Sequence, residues 1–402
     1  MFSSTITRAS SITPILIKRV LDPLNRIEFG ELTVVMPNKS ELRYVGNAPG
    51  PIARIEVKSK RLFSRLVFRG EIGFAEAYLD GEWDTSDLQG VLDLVLVNSS
   101  SLRGALPEVN IVGALEKIQH WFRSNSRRQA RKNISYHYDL GKEFYSLWLD
   151  ESMTYSSGLF DANGINLTHS QARKYEAIAN GIDATENSHV LEIGCGWGGF
   201  AEHVAKTRGT KVTGLTISQE QHDFAKKRVF EAGLADKVEI MLRDYRDETR
   251  TFDGIASIEM FEAVGEKHWP TYFDTIRDRL KPAAKASIQT ITVADDRFQN
   301  YRNKVDFIQK YIFPGGMLPS PQVFSEQADM AGLRIKEKFA FGQSYSKTLR
   351  IWSEQFNASW PAIQKMGFDD RFRRMWNYYL AACAASFRYE TTDVMQFTVA
   401  AK

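Results

Sequence analysis

Hydrophobic and polar positions change their period along the chain. Between residues 29 and 57, short alternating runs at 32–36, 42–45 and 52–57 predict strands, separated by Asn-Lys-Ser and Pro-Gly turns. Residues 61–69 and 75–79 carry helical spacing on either side of Gly70, and 88–97 predicts a short helix. Residues 111–132 read as one amphipathic helix. A regular alternation follows. Apolar runs at 189–194, 211–215, 237–241, 252–258 and 286–292 predict strands. Helical patterns at 200–208, 218–232 (with Ser218 as N-cap) and 269–280 fall between them. Strands alternating with helices imply a parallel sheet covered on both faces. Beyond about residue 322, the runs at 333–341 and 348–352 read as two more strands among two or three helices.

This pattern divides the chain into a small mixed domain over 1–110, a basic linker over 111–133 and a larger α/β domain over 134–402. With 43% hydrophobic and 25% charged residues among 402, the composition is that of a globular protein and excludes wholesale disorder. No apolar run approaches the ~18 residues of a membrane-spanning helix. Pro14 interrupts the short apolar stretch near the start, so a secretory signal is not expected. Two cysteines, Cys195 and Cys383, are too few for a disulfide framework or a structural zinc site. A reducing cytoplasm is expected, and no metal.

The net charge is only +3, which argues against a dedicated nucleic-acid binder. It is unevenly spread: residues 117–132 hold six basic side chains (Lys117, Arg123, Arg127, Arg128, Arg131, Lys132) and no acid. Trp121 and Phe122 lie among them. The segment reads either as a solvated helix face or as contact with anionic headgroups, where each basic residue is worth ~1 kcal/mol.

Candidate chemistry centres on Gly194-Cys195-Gly196-Trp197-Gly198-Gly199, directly after the first strand of the alternation and opening a helix. Doubly wound sheets bind nucleotides at this place. The spacing is not the dinucleotide G-x-G-x-x-G, and Glu192 gives E-x-G-x-G, which suits S-adenosylmethionine because no pyrophosphate needs a cradle. No acid follows the second strand; Thr216 and Gln221 are the groups available for a ribose or the amino-acid tail. Asp244, followed by Tyr245 after the third strand, stands where an adenine amino group would be met.

Several blocks resemble the cyclopropane fatty acid synthases. They are Leu191-Glu-Ile-Gly-Cys-Gly-Trp-Gly-Gly199, Leu215-Thr-Ile-Ser218, Asp244-Tyr-Arg-Asp247, Met260-Phe-Glu-Ala-Val-Gly265 and Lys310-Tyr-Ile-Phe-Pro-Gly-Gly316. Tyr378-Tyr-Leu-Ala-Ala-Cys-Ala384, His137-Tyr-Asp-Leu-Gly141 and Met153-Thr-Tyr-Ser-Ser157 belong to the same set, as does Ala75-Glu-Ala-Tyr-Leu-Asp-Gly-Glu-Trp83. The resemblance implies a Rossmann-like class I methyltransferase with a mostly parallel seven-stranded sheet. It also implies a smaller α+β N-terminal domain that engages lipid, a homodimer, and work at the inner face of the membrane on unsaturated acyl chains of phospholipids. Tyr155, Ser156, Gly194, Gly196, Thr216, Gln221 and Asp244 match cofactor positions, with Gly198 and Tyr245 alongside. Glu262, Tyr345 and Cys383 match active-site positions, although Cys383 sits in a small apolar helix that suits a buried structural thiol. His137, with Tyr138 and Asp139, reads as a structural group or a catalytic one.

An alkene attacks a sulfonium methyl only when held in line in a dry pocket. The cation that results is stabilised by aromatic faces; Tyr301, Phe307, Tyr311, Phe313 and Tyr345 are candidates. A base must then take a proton. The resemblance implies a bound bicarbonate held by a glutamate, a histidine, a tyrosine and a Y-S-C cysteine. Here the cysteine is Ser157, the histidine is Gln289 and the residue after the glutamate is Ala263, while Glu262 and Tyr345 remain. Ser157 and Gln289 can still donate hydrogen bonds. The replacements put ring closure in question more than methyl transfer, leaving a methyl- or methylene-branched product as the alternative. A lipid-binding protein without turnover is the other alternative. Nucleic-acid or protein amino-group methylation lacks its N/D-P-P-Y/F motif, because Ile258-Glu-Met-Phe-Glu262 stands there.

Overall fold

The computed structural model describes residues 9–102, 140–162, 164 and 166–402. The basic segment 117–132, with Trp121 and Phe122, lies outside the described residues, as do His137, Tyr138 and Asp139.

Two sheets organise the chain. The first is a four-stranded sheet of β1 (Phe29–Val35), β2 (Glu41–Val45), β3 (Ala48–Val57) and β4 (Trp83–Asp84), in the order β2-β1-β3-β4. Helices α1 (Ala9–Leu21), α2 (Arg61–Leu79) and α3 (Leu88–Val97) accompany it. Gly70, at φ 53° and ψ −132°, kinks α2 where the sequence breaks its helical spacing.

The second sheet follows α4 (Leu167–Gly181). It contains β5 (His189–Ile193), β6 (Lys211–Thr216), β7 (Val238–Leu242), β8 (Phe252–Ile258), β9 (Leu280–Val293), β10 (Leu333–Ala340) and β11 (Thr392–Ala401), in the order β10-β11-β9-β8-β5-β6-β7. Strands β5 to β9 pair in parallel, and β11 lies antiparallel between β9 and β10. This is the mostly parallel seven-stranded sheet expected. Its inner strands are covered on both faces, which is why β5, β6 and β8 are buried along nearly their whole length rather than at alternate positions. Helix α5 (Gly199–Arg208) follows β5, and α6 (Gln219–Glu231) follows β6. The Ser218 hydroxyl accepts from the Gln221 amide at 3.3 Å, the N-cap expected. After α7 (Trp269–Arg279) the chain enters β9.

Two expectations fail. Residues 348–352 are not a strand but the middle of α8 (Gly342–Ala358). Within it Tyr345, Leu349, Trp352 and Phe356 are buried, a spacing of three and four that only the longer window shows. The last strand, β11, follows α9 (Asp370–Arg388) and is not among the strands predicted from the sequence.

One hydrophobic body joins the first sheet to the second half. Trp83, Val91 and Leu94 belong to the same core as Trp352, Trp376, Tyr378 and Leu380. Polar ties cross the same face: the Arg374 guanidinium lies 3.9 Å from the Tyr78 ring centroid, and Arg388 pairs with Asp93 at 2.7 Å. Both lie on α9.

Candidate active site

Three glycines of the loop after β5 require the left-handed region: φ is 81° at Gly194, 51° at Gly196 and 83° at Gly198. A Cβ on Gly194 would lie 2.6 Å from Cγ of Met260, whereas nothing stands within 4 Å of a Cβ built on Gly196. The loop therefore closes on the turn after β8 at one glycine and opens onto free space at the other. Across that space, Thr216 at the end of β6 donates to Oε1 of Gln221 at 2.9 Å. Asp244 is buried and receives Arg246 through two contacts, 2.8 and 2.6 Å long. The Tyr245 ring packs edge-on against Tyr272, and burial raises its hydroxyl pKa to about 12. These residues line one end of the parallel strands, and the open cradle fits S-adenosylmethionine.

Tyr155 and Ser156 lie beside this edge. The Tyr155 hydroxyl is 2.8 Å from that of Tyr379. Its ring is 5.3 Å from Trp352 and 6.4 Å from Phe313, centroid to centroid. Ser156 accepts from Lys174 at 2.6 Å, and Lys174 also donates to Gln171 at 2.7 Å. Lys174 is fully buried on α4; burial lowers its pKa to about 7, against the pull of the Glu259, Asp150 and Glu192 carboxylates. Burial likewise raises Glu192 to about 8, with Lys174 pulling the other way. Sequence reasoning missed Lys174. Its only trace is a lysine on the buried stripe Gln171, Lys174, Tyr175 and Ile178.

The expected base site is rearranged. Tyr345 does not meet Glu262: its hydroxyl donates to Oε2 of Glu259 at 2.6 Å. Oε1 of the same carboxylate accepts from the Gln289 amide at 2.8 Å and from the Ser157 backbone N–H at 2.9 Å. The Ser157 hydroxyl is turned to the Gly158 carbonyl at 2.8 Å, and the Gln289 carbonyl accepts from Gln396 at 3.0 Å. Gln289, Tyr345 and Ser157, expected to hold bicarbonate, thus converge on a carboxylate of the chain itself. Bicarbonate does not fit this arrangement. Glu259 has φ 48°, a left-handed conformation costing a residue with a side chain about 1–2 kcal/mol. It was missed because Glu262 carries the family match; the signal present was a second acid at the end of β8.

Glu262 turns the other way. Its Oε1 accepts from the Ile291 amide at 2.5 Å and the Thr290 hydroxyl at 3.0 Å, both on β9, while Oε2 is buried without a partner. Burial, and then the neighbouring Glu259 charge, raise its pKa to about 8. Burial raises Glu259 too, opposed by the Tyr345, Ser157 and Gln289 donors and by Lys174. Those donors favour the charged form of Glu259, whereas Glu262 has one unpartnered oxygen and stands beside that carboxylate.

Cys383 fits the structural reading. Burial pushes its thiol far up, and its side chain packs against the aromatic core. Cys195 is buried in the glycine loop, its thiol also raised by burial. Of the expected aromatic faces, Phe313 borders Tyr155 and Tyr379. Tyr311 instead donates to Glu76 at 2.6 Å, Phe307 packs on Tyr378, and the Tyr301 hydroxyl accepts from Gln309 and Leu318. Among the described residues, no group of three or more His, Cys, Asp or Glu side chains is arranged to hold a metal ion. Nor is any helix long and apolar enough to cross a membrane.

Comparison with known proteins meets this geometry. Residues 125–397 match the family model for mycolic acid cyclopropane synthetase. Tuberculostearic acid methyltransferase UfaA1 of Mycobacterium tuberculosis is 37% identical over 357 residues, covering 84% of this chain and 81% of that protein. The cyclopropane-fatty-acyl-phospholipid synthase of Escherichia coli K12 is 36% identical over 357 residues, covering 87% and 88%. Among solved structures, mycolic acid cyclopropane synthase CmaA1 complexed with SAH and CTAB superposes with a TM-score of 0.63 at 27% identity, covering 67% of this chain and 97% of that one. S-adenosylmethionine is accordingly the methyl donor, and lipid acyl chains are the class of substrate. A family match across two thirds of its length, and relatives identical to it at more than a third of the aligned positions, establish that the chain belongs to the mycolic acid cyclopropane synthetase family of S-adenosylmethionine-dependent methyltransferases.

Proposed function

We propose that the enzyme adds a one-carbon unit to the double bond of unsaturated acyl chains in membrane phospholipids, in the manner of the cyclopropane fatty acid synthases. The observation that carries this reading is an adjacency. Met260 touches the Gly194 turn of the cofactor loop, and the next residue back, Glu259, binds Tyr345 in an aromatic setting. S-adenosylmethionine supplies an electrophilic methyl on sulfur. In this reading Gly194, Gly196 and Gly198 let it approach the backbone, and Thr216, Gln221, Asp244, Tyr245, Tyr155 and Ser156 surround its polar groups. Tyr155, Trp352 and Phe313 exclude water and present ring faces to a developing carbocation. Glu262 and Cys383 support the site from behind.

The layer within residues 1–110 engages lipid in this proposal, and 111–133 brings the enzyme to the anionic inner face of the membrane. The decisive experiment is mass analysis of membrane fatty acids from cells with and without the expressed gene. A gain of one methylene with loss of unsaturation marks a ring. The same gain with a retained double bond marks a branched product. No change in any acyl chain overturns the proposal.

A further inference from the structure

Glu259 is the carboxylate on which the site's donors converge. Tyr345 on α8, Gln289 on β9 and the Ser157 amide approach it from three separate elements, at 2.6, 2.8 and 2.9 Å. Gln289 and Ser157 are fully buried, and Tyr345 is nearly so. Glu259 as a residue is half-buried. It stands one residue from Met260, which packs on the cofactor loop, and its own amide is anchored to the Gln289 carbonyl at 2.8 Å. A left-handed backbone at a glutamate persists only where the surroundings over-determine it, and such outliers cluster at functional sites.

From this geometry we propose that Glu259 is the general base of the reaction, an acid–base group built into the chain where a bound bicarbonate was expected. The inference rests on the acyl-modifying reading above. The alkene π pair forms the new carbon–carbon bond to the methyl, the sulfur–methyl bond breaks, and its electron pair stays on sulfur. The carbocation then loses a proton to the Glu259 carboxylate. The released C–H pair closes a ring if the proton leaves the added methyl, or forms a double bond if it leaves a neighbouring carbon. Both outcomes use the same base. Donors on both carboxylate oxygens fix its orientation, and desolvation makes it a stronger base than a carboxylate in water.

The test uses the purified full chain, S-adenosylmethionine, and vesicles of dioleoyl phosphatidylglycerol in buffer stripped of carbon dioxide. Acyl product is read by mass. Wild-type enzyme is expected to turn over equally with and without added bicarbonate. Glu259→Gly suits the left-handed backbone and leaves the donors facing a gap. It should bind S-adenosylhomocysteine normally and lose roughly 10²-fold or more in turnover. Added formate or bicarbonate should restore part of that loss. Glu259→Gln fills the gap and should be inactive without rescue. A wild-type enzyme that needs bicarbonate overturns the proposal, as does either variant retaining turnover in stripped buffer. An inactive, cofactor-binding Glu259→Gly that no small anion rescues assigns Glu259 to positioning Tyr345 and also overturns it. Absence of any acyl product from wild type refutes the acyl-modifying reading instead, so the two failures are distinct.

Discussion

Replacing Gly196 by valine separates cofactor space from fold. Gly196 has φ 51° and nothing within 4 Å of the Cβ position, so the new side chain meets no protein atom at its first carbon. The cost to the fold is the left-handed backbone, about 1–2 kcal/mol. At about 2–4 °C per kcal/mol for a domain of this size, the melting temperature should fall by about 2–8 °C. The cost to binding is larger, because the isopropyl group projects into the cradle. A hundredfold weaker Kd corresponds to about 2.8 kcal/mol. Calorimetric titration with S-adenosylhomocysteine, alongside a thermal melt, reads both quantities. Gly194→Ala is the contrasting variant: its Cβ would meet Met260 at 2.6 Å, so it should cost more stability than Gly196→Ala. A Gly196→Val protein that binds S-adenosylhomocysteine within about threefold of wild type would refute the placement of the cofactor.

Glu262, held near pH 8 when folded against an ordinary 4.5, binds its proton more tightly in the native state. Its contribution to stability is therefore complete below about pH 4.5 and lost as pH rises towards 8. Glu262→Gln should flatten the fall of melting temperature between those values, and should cost far less turnover than Glu259→Gln; equal pH slopes would contradict the assignment. Charge reversal at Arg127, Arg128 and Arg131 should weaken binding to anionic vesicles, most visibly at low salt, with S-adenosylhomocysteine affinity unchanged. Undiminished vesicle sedimentation by that triple variant would remove the membrane role of the segment. Trp83→Ala deletes a fully buried ring stacked on Phe74 at 4.4 Å and should destabilise the whole chain by about 3–5 kcal/mol, measured by denaturant unfolding.

The legible parts of the sequence were those with a local cause. The glycine loop, the Ser218 cap and the apolar strands β5 to β8 each follow from a few neighbouring residues, and all stand where they were expected. Misreadings arose where tertiary context decided. The Thr348-Leu-Arg-Ile-Trp352 run has strand-like composition, yet a longer helical stripe absorbs it. The β11 strand alternates Met395, Gln396, Phe397, Thr398 and Val399, but all five are buried because it lies inside a sheet covered on both faces. At the site, the blocks resembling the cyclopropane synthases located the right loops and selected Tyr345, Gln289 and Ser157. They could not show which of two acids three residues apart would meet a tyrosine 86 residues downstream. That depends on the turn of the backbone at Glu259, which composition does not encode.

The shared core has a mechanical consequence. Trp83, Leu94, Trp376 and Leu380 lie in one hydrocarbon body, so there is no seam along which the N-terminal layer could swing from α9. Each 100 Å² of apolar surface opened there would cost about 2.5 kcal/mol. A force applied to that layer, such as adhesion to a bilayer, is therefore transmitted through α9, which carries Tyr379 and its hydroxyl contact with Tyr155. The N-terminal layer and the Tyr155–Tyr379 wall of the candidate site move as one solid.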